Sequence, residues 1–96
     1  MGITDLLADK RDDILRVAAA RGVRDVRVFG SVARGDAGPD SDVDLLVDLE
    51  PGRNLLDLGG FLMDLQALLG RRVDVVLDGG VSPYMRERIL GEATPL

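Results

Sequence analysis

Ser41-Asp42-Val43-Asp44-Leu45-Leu46-Val47-Asp48-Leu49 alternates with the two-residue period of a β-strand. Val43, Leu45, Val47 and Leu49 fall on one face, and Asp42, Asp44, Leu46 and Asp48 on the other. Residues two apart on a strand project from the same side, roughly 6.5–7 Å apart along the backbone. Asp42 and Asp44 can therefore lean toward one point. Like charges so placed repel, and Asp is disfavoured in strands. A divalent cation would relieve that repulsion, and a shared carboxylate can bridge two ions about 3.5–4 Å apart. An acidic outer face on a half-exposed strand gives the same pattern. Asp48 lies on that face at the strand end, where water solvates it.

Upstream, Val23 to Phe29 is β-branched and aromatic and predicts a strand. Gly30-Ser31-Val32-Ala33-Arg34-Gly35 follows it directly, opening a turn-rich segment to Asp40 with a short helix near Ser31. Gly30 lets the backbone approach a phosphate closely and tolerates φ > 0. Free N–H groups and the Ser31 hydroxyl add anion affinity. Arg34 either neutralises phosphate charge or braces the loop through Asp36 or a strand carboxylate. Before this segment, Thr4 or Asp5 caps a helix running to about Ala20, with Leu6, Leu7, Ile14, Leu15, Val17 and Ala18 on its apolar face. Gly22 stops it.

Downstream, Pro51-Gly52 breaks the acidic strand. A helix from about Asn54 to Leu69 carries Leu55, Leu58, Leu62, Leu65 and Leu69 at helical spacing, with Gly70 as its stop. Val73 to Leu77 is a third strand, and Asp74 interrupts its apolar run. Ser82 as N-cap and Pro83 at the first position open a last helix to about Leu90. Tyr84, in its first turn, is read as a packing or capping residue. The order is α-β-β-α-β-α in an α/β (α+β) domain, a small mixed sheet flanked by helices. The strands of Asp42 and Asp74 are joined through a helix and are expected to be parallel. Asp74 can then meet Asp42 and Asp44 across one sheet face, as a metal ligand or as the acceptor of a proton from a hydroxyl. An acid on the polar side of an edge strand is the plainer alternative.

The 96 residues suit one domain spanning 1–96, too small to bury itself comfortably without a partner or an oligomer. The net charge is −5 with no basic run, which argues against extended nucleic acid as a partner. There is no Cys and no His, so thiolate catalysis, imidazole bases and Cys/His zinc sites are excluded. Oxygen donors alone favour hard cations, chiefly Mg²⁺ or Mn²⁺. No stretch reaches membrane-spanning length and the N-terminus is not a signal peptide, so a cytoplasmic location is expected.

Phe29-Gly30-Ser31-Val32-Ala33-Arg34-Gly35 with Ser41-Asp42-Val43-Asp44-Leu45-Leu46-Val47 resembles the signature of the DNA polymerase β-like nucleotidyltransferases, and most closely their minimal branch. Arg71-Arg72-Val73-Asp74-Val75-Val76 resembles the third-acid strand of that branch, and the tail from Pro83 to Leu96 its ending. The resemblance implies attack of a hydroxyl on the α-phosphate of ATP, with Mg²⁺ bound. By the same resemblance Gly30 and Ser31 hold the triphosphate, Asp42 and Asp44 bind metal, and Asp74 is a further ligand or base. Larger relatives add a substrate domain that is not evident here. Minimal members are typically antitoxins that add AMP to a tyrosine of a HEPN-domain ribonuclease toxin, which implies that toxin as partner in a hetero-oligomer. Two other readings compete: a binding module that neutralises a partner by complex formation, and an enzyme modifying a small molecule such as an aminoglycoside.

Overall fold

The computed structural model describes residues 3–35 and 41–96, the side chains of residues 3–6 excepted. Along the chain run α1 (Ile3–Ala20), β1 (Val23–Phe29), α2 (Gly30–Arg34), β2 (Val43–Leu49), α3 (Leu55–Leu69), β3 (Val73–Leu77), a 3-10 turn (Asp78–Gly80), α4 (Pro83–Glu92) and β4 (Thr94–Pro95). The expected order is present, and the short helix after β1 is real. β4 is an addition, and α4 runs on to Glu92 instead of stopping near Leu90. α1 already begins at Ile3, so Thr4 and Asp5 stand inside its first turn instead of capping it.

The strands form one mixed sheet in the order β3-β2-β1-β4. β1 is antiparallel to β2 and β4, while β2 and β3 are parallel, as their helical connection requires. β1 slips register between Arg24 and Arg27, where Asp25 takes a left-handed φ of 53°. Asp tolerates that conformation, and the bulge lets β1 keep pairing on both sides of the kink.

One sheet face packs on α1 and α3. Val43, Leu45 and Val47 of β2, Val28 of β1 and Val73 of β3 meet Ile14 and Ala18 of α1 and Phe61, Leu65 and Leu69 of α3 in one buried cluster. Leu46 is as deeply buried, yet stands outside that cluster, on the face where α4 supplies its one buried residue, Ile89. β2 is therefore covered on both faces, and its clean alternation understates its burial. In α3 the expected stripe shifts by part of a turn. Leu55 is 72% exposed, and Phe61 takes the core position. Tyr84, read as a packing or capping residue, stands in the first turn of α4 and is 70% exposed, so it does not pack in the core.

Local chemistry fixes the helices that carry the site. Asn54 caps α3 by accepting from Leu56 N–H at 2.9 Å and Asp57 N–H at 3.3 Å, and the Asp57 carboxylate accepts from Asn54 N–H at 3.1 Å. This reciprocal cap satisfies donors that a helix start leaves unpaired. Asn54→Ala should lower stability by about 1 kcal/mol in urea unfolding. An unchanged midpoint would mean that the cap contributes nothing.

α4 starts at Ser82, whose Oγ accepts from Met85 N–H at 3.3 Å, with Pro83 at the first helical position as expected. Arg86 Nε donates to Asp78 Oδ1 at 2.6 Å, and Arg27 stands 3.7 Å from Asp78 Oδ2. The Arg86 hydrogen bond, aided by the charges of Arg86 and Arg27, holds the Asp78 carboxyl below its usual range. A carboxyl lowered by folding stabilises the fold above its unfolded pKa, and the contribution fades as pH falls through the folded value. Asp78→Asn should therefore be less stable than the parent at about pH 6, with the gap narrowing at about pH 3. A gap that stays constant across that range would contradict the pairing.

Candidate active site

Three strand ends bring the sequence-selected residues together. Phe29, the last residue of β1, pairs in register with Asp44 of β2, and Asp44 pairs with Asp74 of β3. Neighbouring residues in register share a face, so the Asp44 and Asp74 side chains stand side by side. Asp42 lies just before β2, and its negative charge acts on Asp44. Gly30 turns the chain from β1 into α2 at φ 74°. A Cβ on Gly30 would overlap Asp44 Oδ2 and stand 3.2 Å from its Cγ. Glycine is thus needed here for both its backbone conformation and its missing side chain. Ser31 sits half-buried in the single turn of α2.

Burial first, and then the charges of Asp74, Asp42 and Glu92, push the Asp44 carboxyl above its usual range; Arg34 opposes the shift. Four acids, Asp42, Asp44, Asp74 and Glu92, thus act at one place, with Arg34 as an opposing charge. The last of these acids comes from α4. Glu92 Oε1 accepts from Gly30 N–H at 3.0 Å, and Glu92 Oε2 accepts from Arg34 Nη1 at 3.1 Å. Of the two braces expected for Arg34, Asp36 lies outside the described residues. Arg34 donates a hydrogen bond to Glu92, and its charge also acts on the strand carboxylate Asp44. Glu92 also occupies the N–H that the sequence assigns to a phosphate. A carboxylate and a phosphate are both oxyanions, so a triphosphate seated at Gly30 must displace the Glu92 side chain from that donor.

Asp44, Asp74 and Glu92 open on a cleft of about 700 Å³ between the sheet and α4, while Asp42 stands outside its lining. Asp44, Asp74 and Arg34 line it, with Met85, Arg88 and Glu92 from one face of α4. Sequence reasoning missed Arg88, and it placed Glu92 in the tail without a role. The available signal was helical spacing, because 85, 88 and 92 fall on one side of a helix. A second depression, of about 710 Å³, lies farther along α4, lined in part by Asp48, Asp78 and Arg86. Asp78 and Arg86 already neutralise one another there, and Asp48 pairs with Arg24 at 3.6 Å, so it lacks the concentrated charge of the first cleft.

The donor set suits a hard divalent cation: it is all carboxylate oxygen, and Asp44 carries repulsion that a cation would remove. Among the described residues no three acids already converge into a closed cage. Mg²⁺ is commonly held by one or two carboxylates with substrate phosphates completing its shell, so an open strip of acids fits that ion better than a cage would.

A mixed sheet with paired acids on adjacent parallel strands and a glycine turn against one of them defines a nucleotidyl-transfer fold, and the comparisons agree. The model of the nucleotidyltransferase domain matches residues 11–95. The protein adenylyltransferase MntA of Thermococcus cleftensis is 45% identical over 71 residues, covering 74% of this chain and 72% of that protein. A solved structure described as a minimal nucleotidyltransferase is 49% identical with a TM-score of 0.89, covering 100% of this chain and 97% of the other. A toxin–antitoxin crystal structure with AMP-PNP contains a chain of the same fold, with a TM-score of 0.75, 17% identity, and coverage of 88% of this chain and 69% of that one. The chain belongs to the nucleotidyltransferase domain family, on its minimal branch, and is a nucleotidyltransferase.

Proposed function

We propose that this enzyme transfers AMP from ATP to a tyrosine hydroxyl of a HEPN-domain ribonuclease toxin in the cytoplasm, and so acts as the antitoxin of that pair. The observation that carries the reading is the register pairing of Asp44 with Asp74 beside the Gly30 turn. A relative that is a protein adenylyltransferase supports AMP transfer to a protein, and the toxin–antitoxin complex with AMP-PNP supports nucleotide use and a toxin partner; the tyrosine and the HEPN domain rest on the motif resemblance.

Asp42, Asp44 and Asp74 would hold Mg²⁺ or Mn²⁺, which when bound neutralises phosphate charge and polarises the phosphoryl oxygens. Gly30 N–H and the Ser31 hydroxyl bind triphosphate oxygens, and Arg34 adds positive charge beside them once Glu92 swings away. Asp74, exposed at the cleft, takes the proton from the acceptor hydroxyl, because no histidine exists to do so. The new bond forms between that oxygen and the α-phosphorus, the bond to the bridging oxygen breaks, and pyrophosphate leaves. Most of the catalysis is positioning and charge neutralisation.

Ribonuclease activity of the partner provides the test. Preincubation of the toxin with this enzyme, ATP and Mg²⁺ should silence it, and the silencing should persist after the two proteins are separated. The Asp42→Asn/Asp44→Asn double variant should not silence it. Lasting neutralisation by the double variant would contradict catalysis, and inhibition that requires the complex would assign the effect to binding.

A further inference from the structure

Glu92 closes α4, and its carboxylate spans the single turn of α2. One oxygen accepts from Gly30 N–H at the start of that turn, and the other accepts from Arg34 at its end. These are the donors assigned above to a phosphate, so an oxyanion of the protein's own already holds them. The backbone on either side of Glu92 is fixed. Ile89 is buried, Thr94 pairs with Val28, and Leu96 N–H donates to Val26 C=O at 3.0 Å. Release of the two donors therefore needs only rotation of one flexible side chain, with α4 and β4 left in place.

A phosphate that takes Gly30 N–H and Arg34 would leave the Glu92 carboxylate without its counter-charge, in a cleft that also holds Asp44 and Asp74. Arg88 stands one turn earlier on the same side of α4 and lines the same cleft. Residues four apart on a helix are neighbours, with Cβ atoms about 5–6 Å apart. Arg86, on the other side of the helix, is held by Asp78, whereas among the described residues no carboxylate pairs with Arg88. Glu92 thus pairs with Arg34 and has Arg88 one turn away as an alternative.

We propose that Glu92 is an internal competitor for the triphosphate seat at Gly30 and Arg34, and that Arg88 takes over its carboxylate when nucleotide binds. The inference rests on the placement of the triphosphate proposed above and adds what regulates access to it. A ligand whose seat is open for only part of the time has its affinity reduced by that fraction. Glu92 therefore weakens ATP and pyrophosphate alike, and its return to Gly30 N–H and Arg34 helps pyrophosphate leave after transfer. Arg88 acts in the opposite sense, because pairing with the displaced carboxylate lowers the cost of opening the seat.

Calorimetric titration of ATP and of pyrophosphate, each with Mg²⁺, tests this on the whole chain. Glu92→Ala should bind both ligands about tenfold more tightly than the parent, the worth of two charge-assisted hydrogen bonds discounted for their part-exposed partners. Glu92→Gln keeps an acceptor for Gly30 N–H and should shift both affinities the same way by a smaller factor, which keeps the test decisive if Glu92→Ala does not fold. Arg88→Ala should weaken both ligands about twofold in the parent and leave them unchanged in the Glu92→Ala background, since it acts through Glu92. Unchanged or weaker binding by both Glu92 variants would overturn the competition and make Glu92 a brace between α4 and α2. An equal loss from Arg88→Ala in both backgrounds would put Arg88 on the phosphates and overturn the handover, as would no loss in the parent. Binding of neither ligand by any of these proteins would remove the triphosphate seat itself, whereas binding that ignores Glu92 would overturn the competition and leave that seat standing.

Discussion

Asp44→Asn is expected to reduce AMP transfer by about 10³-fold or more while making the metal-free protein more stable. The two effects share one cause. Folding buries part of the Asp44 carboxyl and sets it among Asp74, Asp42 and Glu92, so its pKa rises above the ordinary carboxylate range. A carboxyl raised by folding favours the fold only while protonated. That contribution is complete below the unfolded pKa and is lost as pH rises through the folded value. Near neutral pH the ionised Asp44 therefore opposes folding, and an uncharged isostere removes the opposition. The variant should melt higher than the parent without divalent cation, and Mg²⁺ should raise the melting temperature of the parent more than that of the variant. A lower melting point for metal-free Asp44→Asn would mean that the carboxylate contributes a stabilising hydrogen bond that outweighs the repulsion. Such an opposition between stability and activity is common at sites that concentrate charge.

Gly30→Ala is the second large effect, and it acts through geometry. The added methyl would overlap Asp44 Oδ2 at a residue whose φ is 74°. The backbone strain alone costs about 1–2 kcal/mol, and the collision must be relieved by moving Asp44 or the turn. A displacement of about 1 Å at a reacting centre can cost about 100-fold in rate. Turnover should fall by about that factor, while chemical denaturation shows only a modest loss of stability. A variant with normal turnover and the full strain penalty would show that Asp44 can shift without consequence. That result would move the critical contacts to Asp42 and Asp74.

Much of this was legible because it is local. The two-residue alternation of 42–49 and the apolar run of 73–77 each identify a strand, and the helix between them makes the pair parallel. That made a meeting of Asp74 with Asp42 and Asp44 expected, and the structure supplies the register that pairs Asp44 with Asp74. Glycine and serine at the strand end marked the turn that presses on Asp44. What the sequence did not disclose was long-range. Glu92 lies 62 residues from Gly30 and nothing in its neighbourhood advertises a carboxylate bound to a distant N–H. Its contact depends on α4 running past Leu90, and helix ends are the least certain feature of a sequence reading. Leu46 looked like an irregularity on the polar face of β2, when it marks the place where α4 covers that face. Leu55 fitted the leucine spacing of α3 but sits at the first turn, beyond the edge of the sheet's core. The two-residue β4 is too short for any periodicity. The bond from Arg34 to Glu92 could not be read from sequence because the packing of α4 brings that carboxylate in.

The most direct test is intact-mass spectrometry of the HEPN-domain toxin after incubation with this enzyme, ATP and Mg²⁺, run in parallel with Asp44→Asn. A mass gain of one or more AMP units that is absent with the variant and absent when the cation is chelated is the predicted result. An unmodified toxin in a stable complex with the parent protein, or equal modification by the variant, would contradict it.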